Sequence, residues 1–568
     1  TFNKNDFTLS MNSSGLLDII SNKHVASYGE ETSEPGLPLI PVNVLIPEGN
    51  SFASLTVSSN KSLIRENVTI ATNPRMMPTI NFAQEATEGL PKYANKVYPI
   101  SSGVYKCTSC MDGYTILNFL VSPFEYDASS KKLYLNESIT LSINLENSNE
   151  KTTTLSMNGK NISDIIKSLV INGEEADARN ISTQNASTNS ARENIEYLII
   201  TSRALSSYFQ PIVQWKKMKG ISSKIIALED IEANYTGATT PHKIKSCLYD
   251  LYKNNGLKYV LLGGDDTIVP KASCYVSAGG YTENEMPTDL FFACFGGNFD
   301  WDGNKNGIYG ETTDGIDMSP SIYVTRIPIR TSTDVVAFST KLLAYEKTPL
   351  KGGWGNNILM SGTQLWANYS STQSDAEAKG DNLYTNFIKP YWIGTRKKFY
   401  DTYTDFTGGA DYTLNTANLQ EQFANGYNFF DIATHGSPNL WALESGRYYT
   451  SDAVSMKTNG FTIITTMACQ TNQFDSPTYE PCLSEAFMRN ANNGVVAYLG
   501  CSRYGWGYSG GTSSLGPSLQ YEAQFYQNLF SASVENKNYG AIVAVAKAAM
   551  ISKSTSNNPF RWVQFGLN

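Results

Sequence analysis

Two short apolar runs constrain this chain more than anything else in it. Gly426-Tyr-Asn-Phe-Phe-Asp-Ile-Ala-Thr-His435-Gly436 and Phe461-Thr-Ile-Ile-Thr-Thr-Met-Ala-Cys469 are each rich in aromatic and β-branched residues, and each ends in one reactive side chain. Runs of this length and composition read as strands buried on both faces of a parallel sheet. In an open α/β sheet the chemistry gathers at the carboxyl ends of the strands. With only three His and eight Cys in 568 residues, one of each leaving two such ends is not explained by abundance.

Around these runs the texture changes along the chain. Residues 1–175 alternate apolar and polar positions, as in Leu39-Ile-Pro-Val-Asn-Val-Leu-Ile and Leu133-Tyr-Leu-Asn-Glu-Ser-Ile-Thr-Leu-Ser-Ile-Asn-Leu, with turn residues between. This predicts an all-β domain, a sandwich or barrel-like fold. Residues 176–194 are polar and read as an exposed linker, the kind of segment that proteases nick. From Tyr197 onward strand and helix patterns alternate, which predicts a doubly wound, mostly parallel α/β region in two parts, 195–350 and 351–568. Helices are expected from Ala204 to Lys219, ended by Gly220, and from about Pro241 to Lys253.

Composition narrows the partners. Hydrophobic residues are 41%, charged residues 17% and the net charge is −8. An acidic surface argues against nucleic acid or an anionic membrane as a general partner. No apolar run approaches the roughly 18 residues of a membrane span. The sequence begins at Thr1 without Met; a signal peptide removed or lying outside the sequence, and a secreted protein, are the expectation. If Cys469 is a free nucleophile, seven Cys remain, so a fully paired disulfide framework is not expected. Cys107-Thr-Ser-Cys110 has CxxC spacing but no βαβ context, so a local disulfide or two free thiols is the plain reading.

A Cys attacks as its thiolate, which a neighbouring imidazole favours. His435 then protonates the leaving amine. Gly436 leaves room for a substrate carbonyl, and its N–H together with that of Cys469 is a candidate oxyanion hole. A second motif is Asp300-Trp-Asp302-Gly-Asn304-Lys-Asn306-Gly307-Ile308. Asp302, Asn304 and Asn306 have the spacing of a calcium loop, Gly307 makes the turn, and Ile308 offers its carbonyl. Glu311, Asp314 and Asp317 follow and complete the oxygen set. Structural Ca2+ is expected there, against the plainer reading of a solvated polar turn.

The same blocks resemble the gingipain family of cysteine peptidases, within the caspase-like clan. The similar residues are Thr434-His435-Gly436-Ser437, Ala468-Cys469, Pro481-Cys482-Leu-Ser-Glu485-Ala-Phe-Met-Arg489 and Leu261-Leu-Gly-Gly-Asp265, supported by Val324-Thr-Arg326 and Trp562-Val-Gln-Phe-Gly566. The resemblance implies that His435 and Cys469 are the catalytic pair and that the β-rich N-terminal domain is an inhibitory prodomain. It also implies that Asp375 forms the base of an arginine-selecting pocket; the bland alternative is an acidic residue stabilising a helix N-terminus. Trp506 matches an aromatic that covers that pocket, and Gly505, Gly507 and Gly510 suggest an exposed loop around it. Where the family has a Glu supporting the His, this chain has Ser361-Gly362-Thr363, which leaves the third catalytic group unassigned. The expected function is a secreted cysteine endopeptidase, zymogen-like, acting on protein or peptide substrates and activated by cleavage after Arg179 or Arg192. The rivals are a sortase-like transpeptidase of the same family and a catalytically dead, calcium-stabilised surface scaffold.

Overall fold

The computed structural model describes all residues except 81–90, 92, 149–162, 179–192, 348–352, 367–373, 401–413, 492–493, 510–512 and 532–536. The N-terminal region is a sandwich. One sheet is built on two sixteen-residue strands, Asn50–Arg65 and Lys132–Asn147, paired antiparallel from Leu133 opposite Arg65 to Asn147 opposite Asn50. The other has three strands, Ile40–Leu45, Tyr114–Val121 and Gly103–Met111. Period-2 side chains from both sheets meet between them, with Leu117 and Phe119 packed against Phe52, Leu55, Leu141 and Ile143. The region is not all-β to residue 175. Ser163–Leu169 is a helix whose Ile165 and Ile166 are buried in one cluster with the α/β region, so tertiary packing overrides the β texture that precedes it.

The α/β region holds two parallel sheets rather than one. The first runs in the order Ser223–Ala227, Tyr197–Thr201, Tyr259–Gly263, Tyr323–Ile327. The second runs Thr395–Tyr400, Asn357–Gly362, Phe429–Ala433, Phe461–Thr466, Gly494–Leu499. Phe429–Ala433 is buried along its whole length and Phe461–Thr466 from Thr462 onward, as their apolar character requires. The helix expected over 204–219 is broken into Arg203–Ser206, a 3-10 turn and Gln210–Met218, where Pro211 starts the last segment, and Gly220 follows at φ 82°. The second expected helix is Thr240–Asn255, closed by the left-handed Gly256.

One hairpin locks the sandwich to the α/β region. Between the strands Gly103–Met111 and Tyr114–Val121 stand Asp112 at φ 48° and Gly113 at φ 79°. Two left-handed residues make the tight turn that matches strand twist, and Asp-Gly is a sequence suited to it. The turn is inserted rather than exposed. Met111, Tyr114 and Ile116 are within 1% of complete burial, in one cluster with Leu248, Tyr252 and Phe295 of the α/β region. The Tyr252 hydroxyl donates to the Asp112 carboxylate, and the Cys110 N–H donates to Asp317 Oδ2 at 2.7 Å. Burial pushes the Asp317 carboxyl up to about 7. Tyr252→Phe takes a donor from a buried carboxylate, a loss of about 1–3 kcal/mol. The expected outcome is a lower denaturation midpoint with the fold retained; an unchanged midpoint in urea would remove Asp112–Tyr252 as an anchor.

Candidate active site

The register of the second sheet brings the two reactive residues to the same level. Ile432 pairs with Thr466, and His435 and Cys469 each lie three residues further on. A Cβ built on Gly436 would stand 2.9 Å from the Cys469 carbonyl oxygen and 2.9 Å from Ala468 Cβ, so only glycine lets the two backbones pass this closely. The loop after Cys469 is held by charge. Arg503 donates to both Asp475 oxygens, at 2.9 and 2.8 Å, and to Glu283 at 2.8 Å, while Lys271 also pairs with Asp475. The Asp475 carboxylate sits in the folded interior because the guanidinium fork satisfies it. The arrangement fixes the backbone from Arg503 to Trp506 beside Cys469, and Gln470 N–H donates to the Arg503 carbonyl at 2.7 Å.

A segment of the N-terminal region lies across this site. Met76–Pro78 pairs antiparallel with Trp506–Tyr508, Pro78 opposite Trp506 and Met77 opposite Gly507. The pairing is extended at both ends: Ser509 N–H donates to the Arg75 carbonyl at 3.0 Å, and Thr79 N–H to the Gly505 carbonyl at 2.9 Å. Thr79 then stands between the two reactive side chains. Its carbonyl oxygen lies 2.8 Å from His435 Nδ1, and its hydroxyl is 3.1 Å from Cys469 Sγ. Gly505 N–H also donates to the sulfur, at 3.2 Å. Cys469 is fully buried, and burial pushes its thiol up to about 11 against the lowering effect of these hydrogen bonds.

The other imidazole nitrogen, Nε2, is 2.9 Å from the carbonyl oxygen of Leu365. A backbone carbonyl therefore occupies the orienting position for which the sequence had offered no carboxylate. Ser361 lies within the strand Asn357–Gly362, and Thr363 Oγ1 bonds to Thr434 Oγ1 at 2.7 Å, away from the imidazole. The Leu365 turn is itself held by Asp375, whose oxygens accept from Leu365 N–H at 2.7 Å and Trp366 N–H at 3.0 Å. Asp375 is 1% exposed and is the first residue of the helix Asp375–Leu383, capped by Ser374. Its carboxylate thus faces a turn beside the site.

Trp506 lies in a strand, fully buried, with Tyr281 and Trp562 edge-on at 6.1 and 5.9 Å. The exposed loop expected from its glycines is replaced by an edge strand that the Met76–Pro78 segment covers; Gly510 lies outside the described residues, as do Arg179 and Arg192. Thr79, Leu365 and Arg503 carried no signal in the sequence, because each acts through backbone position or a distant partner, and Gly505 entered only as a loop glycine.

In the 300–311 loop, Asp302 Oδ1 accepts from Asn306 N–H and Oδ2 from Gly307 N–H, at 2.9 and 3.1 Å, and Asn306 Oδ1 accepts from Ile308 N–H at 2.8 Å. Glu311 accepts from the Asn304 and Asn306 amides. The Asp300 carbonyl accepts from His242, and Asp314 holds Gly303 and Glu311 N–H. Among the described residues, no three His, Cys, Asp or Glu side chains converge on one point. Asp317 is turned toward Cys110 and Ser319.

The chain is 20% identical over 482 residues to Gingipain R1 of Porphyromonas gingivalis, covering 82% of this chain and 42% of that protein. It is 20% identical over 503 residues to Gingipain R2 of the same organism, covering 84% and 60%. The chain thus spans less than two thirds of the length of these relatives. A solved structure of the Arg-specific cysteine proteinase gingipain R aligns over 64% of this chain and 74% of its own, at 18% identity and a TM-score of 0.47. A complex of Porphyromonas gingivalis RgpB pro- and mature domains aligns over 65% and 77%, at 17% and 0.48. Residues 4–181 match the model Propeptide_C25 and residues 190–566, more than half of the chain, match Peptidase family C25. The chain belongs to peptidase family C25 and carries the propeptide region of that family ahead of its α/β region.

Proposed function

We propose that this protein is a secreted cysteine endopeptidase held latent by its own N-terminal region. The observation that carries the reading is Thr79, seated by strand pairing between His435 and Cys469. A segment that lies along an edge strand as a substrate would, and fills the gap between nucleophile and base, blocks both at once. Latency suits a peptidase that leaves the cell before it acts. Among the described residues, no helix is long and apolar enough to cross a membrane.

Once the segment leaves, the chemistry follows from the residues around it. The Leu365 carbonyl holds the Nε2–H of His435, which leaves Nδ1 to take the thiol proton of Cys469. The thiolate adds to the substrate carbonyl carbon, and the N–H groups of Gly436 and Cys469 receive the oxyanion. The imidazolium then protonates the leaving amine, and water cleaves the thioester with His435 as base. Release of the strand also opens the thiol to water, which lowers the desolvation that now keeps it protonated. Asp375 acts through the Leu365 turn, and Trp506 belongs to the strand that receives the substrate. Cleavage within residues 179–192, at Arg179 or Arg192, would sever the tether to the N-terminal region.

Cys469→Ala is expected to abolish hydrolysis of peptides and of its own linker while leaving the melting temperature near that of the wild type. Loss of such a nucleophile costs several orders of magnitude, so residual activity above about a tenth removes Cys469 from the role. Identical linker cleavage in the variant, read by N-terminal sequencing, would exclude self-processing.

In the latent chain, alkylation of Cys469 by iodoacetamide, followed by mass spectrometry of its peptide, should be slow at pH 7 and climb toward about pH 11. The sign follows from burial: a raised thiol pKa leaves about one molecule in ten thousand as thiolate at pH 7, against a few per cent for a free thiol. A plateau reached near pH 8 would contradict the buried, Thr79-bonded thiol.

We further propose that the 300–311 loop binds Ca2+. Asp302, Asn304 and Asn306 already turn their oxygens inward, beside Glu311. A cation there would draw amide and carbonyl oxygens as well as carboxylates. Excess EDTA should lower the melting temperature, since a ligand of the native state stabilises it by mass action. An unchanged melting temperature together with metal analysis that finds no calcium removes the site.

A further inference from the structure

Building on the peptidase reading, we propose that the primary pocket of this site selects a small hydroxyl residue, threonine above all, and does not select arginine. The register defines the position. Contact between the two strands runs unbroken from Arg75 to Thr79, and Thr79 is the residue whose N–H meets the Gly505 carbonyl and whose own carbonyl meets His435. A substrate laid along the same edge presents its scissile carbonyl between His435 and Cys469. The residue before the cut then occupies the place of Thr79.

That place is small and built for a hydroxyl. Thr79 is fully buried. Its Oγ1, 3.1 Å from Cys469 Sγ, also lies 3.3 Å from the Met467 carbonyl oxygen and 3.4 Å from that of Gly505, which takes the Thr79 N–H as well. A Cβ added to Gly505 would overlap the Met467 carbonyl, so the strand backbone is pressed against the wall of the pocket. An apolar side chain of the same size leaves those carbonyls facing a methyl group, and that mismatch is the stronger kind of discrimination.

Among the described residues, the acid expected to receive an arginine is already engaged. Asp375, the acid nearest in the expected role, places both oxygens on the Leu365 and Trp366 amides, and Lys379 Nζ lies 4.0 Å from Oδ2. Both residues are buried to within 1%. A guanidinium entering here would meet a carboxylate whose lone pairs and charge are already engaged, and burying a cation without a partner is strongly unfavourable. The docked segment does contain an arginine, but Arg75 lies four residues upstream with its side chain exposed. Cuts that the protein makes in its own linker should then follow Thr or Ser, and cuts after Arg179 or Arg192 would be the work of another peptidase.

The test uses the full chain and reads Cys469 labelling by mass spectrometry. Iodoacetamide rates are compared for wild type, Thr79→Ser, Thr79→Val and Thr79→Arg, each checked for an unchanged melting temperature. Thr79→Ser should stay within about threefold of wild type and Thr79→Val should label several-fold faster, while Thr79→Arg, which unseats the segment, should label at least about tenfold faster. Labelling of Thr79→Arg at the wild-type rate or slower overturns the proposal, because an arginine pocket would hold that variant more tightly. In the opened Thr79→Arg chain, Met-Met-Pro-Thr and Met-Met-Pro-Arg chloromethylketones are then compared. Faster labelling by the threonine reagent, by about tenfold, supports the pocket, and equal or faster labelling by the arginine reagent overturns it. If iodoacetamide labels Cys469 and neither ketone does, the peptidase reading itself falls and the pocket with it, an outcome distinct from a preference for arginine.

Discussion

The antiparallel contact between residues 75–79 and 505–509 is the interaction on which the state of this molecule depends. Five residues of the N-terminal region add themselves to a short edge strand and convert an open cleft into a buried one. Main-chain hydrogen bonds provide the alignment, and one residue, Thr79, touches both His435 and Cys469. The effect on chemistry is electrostatic as well as steric. With water excluded, Cys469 keeps its proton, and Nδ1 of His435 faces the Thr79 carbonyl instead of the sulfur.

Such a contact is too short to hold a domain by itself. The hairpin turn at Asp112–Gly113 supplies a second attachment, burying Met111 and Tyr114 in the core of the α/β region. A buried aromatic contributes on the order of 2–3 kcal/mol by area alone. The short strand at the cleft can therefore be held in place without having to bind tightly on its own. On the proposed reading, a cut in the linker would leave both attachments intact, and unseating of the segment would be the step that exposes the thiol.

The support for His435 illustrates how a site can be completed without the residue type that its chemistry suggests. A carboxylate usually fixes the imidazole of a nucleophile–base pair, yet here the acid stands one step back. Asp375 holds two amides of the Leu365 turn, and that turn offers a carbonyl to Nε2. A neutral carbonyl fixes the tautomer as a carboxylate does, but gives less stabilisation to the imidazolium.

The sequence alone determined the change of texture from the β-rich to the α/β part and the apolar strands that lead to His435 and Cys469. These follow from local rules: period-2 alternation, buried apolar runs of strand length, and the reactivity of a thiol beside an imidazole. It did not reveal that the α/β region is split into two sheets, since strand order within a sheet depends on which edges meet. Nor did it reveal Thr79, Leu365 or the Arg503–Asp475 pair. Thr79 lies 356 residues from His435 and 390 from Cys469, and its role comes from a backbone register that no composition or spacing records. Asp375 could be read from sequence as a pocket base or a helix-start acid, because both readings need the same residue at the same place. Only the tertiary structure decided which atoms its carboxylate touches, because those amides belong to a turn whose position is set by the packing of the whole sheet.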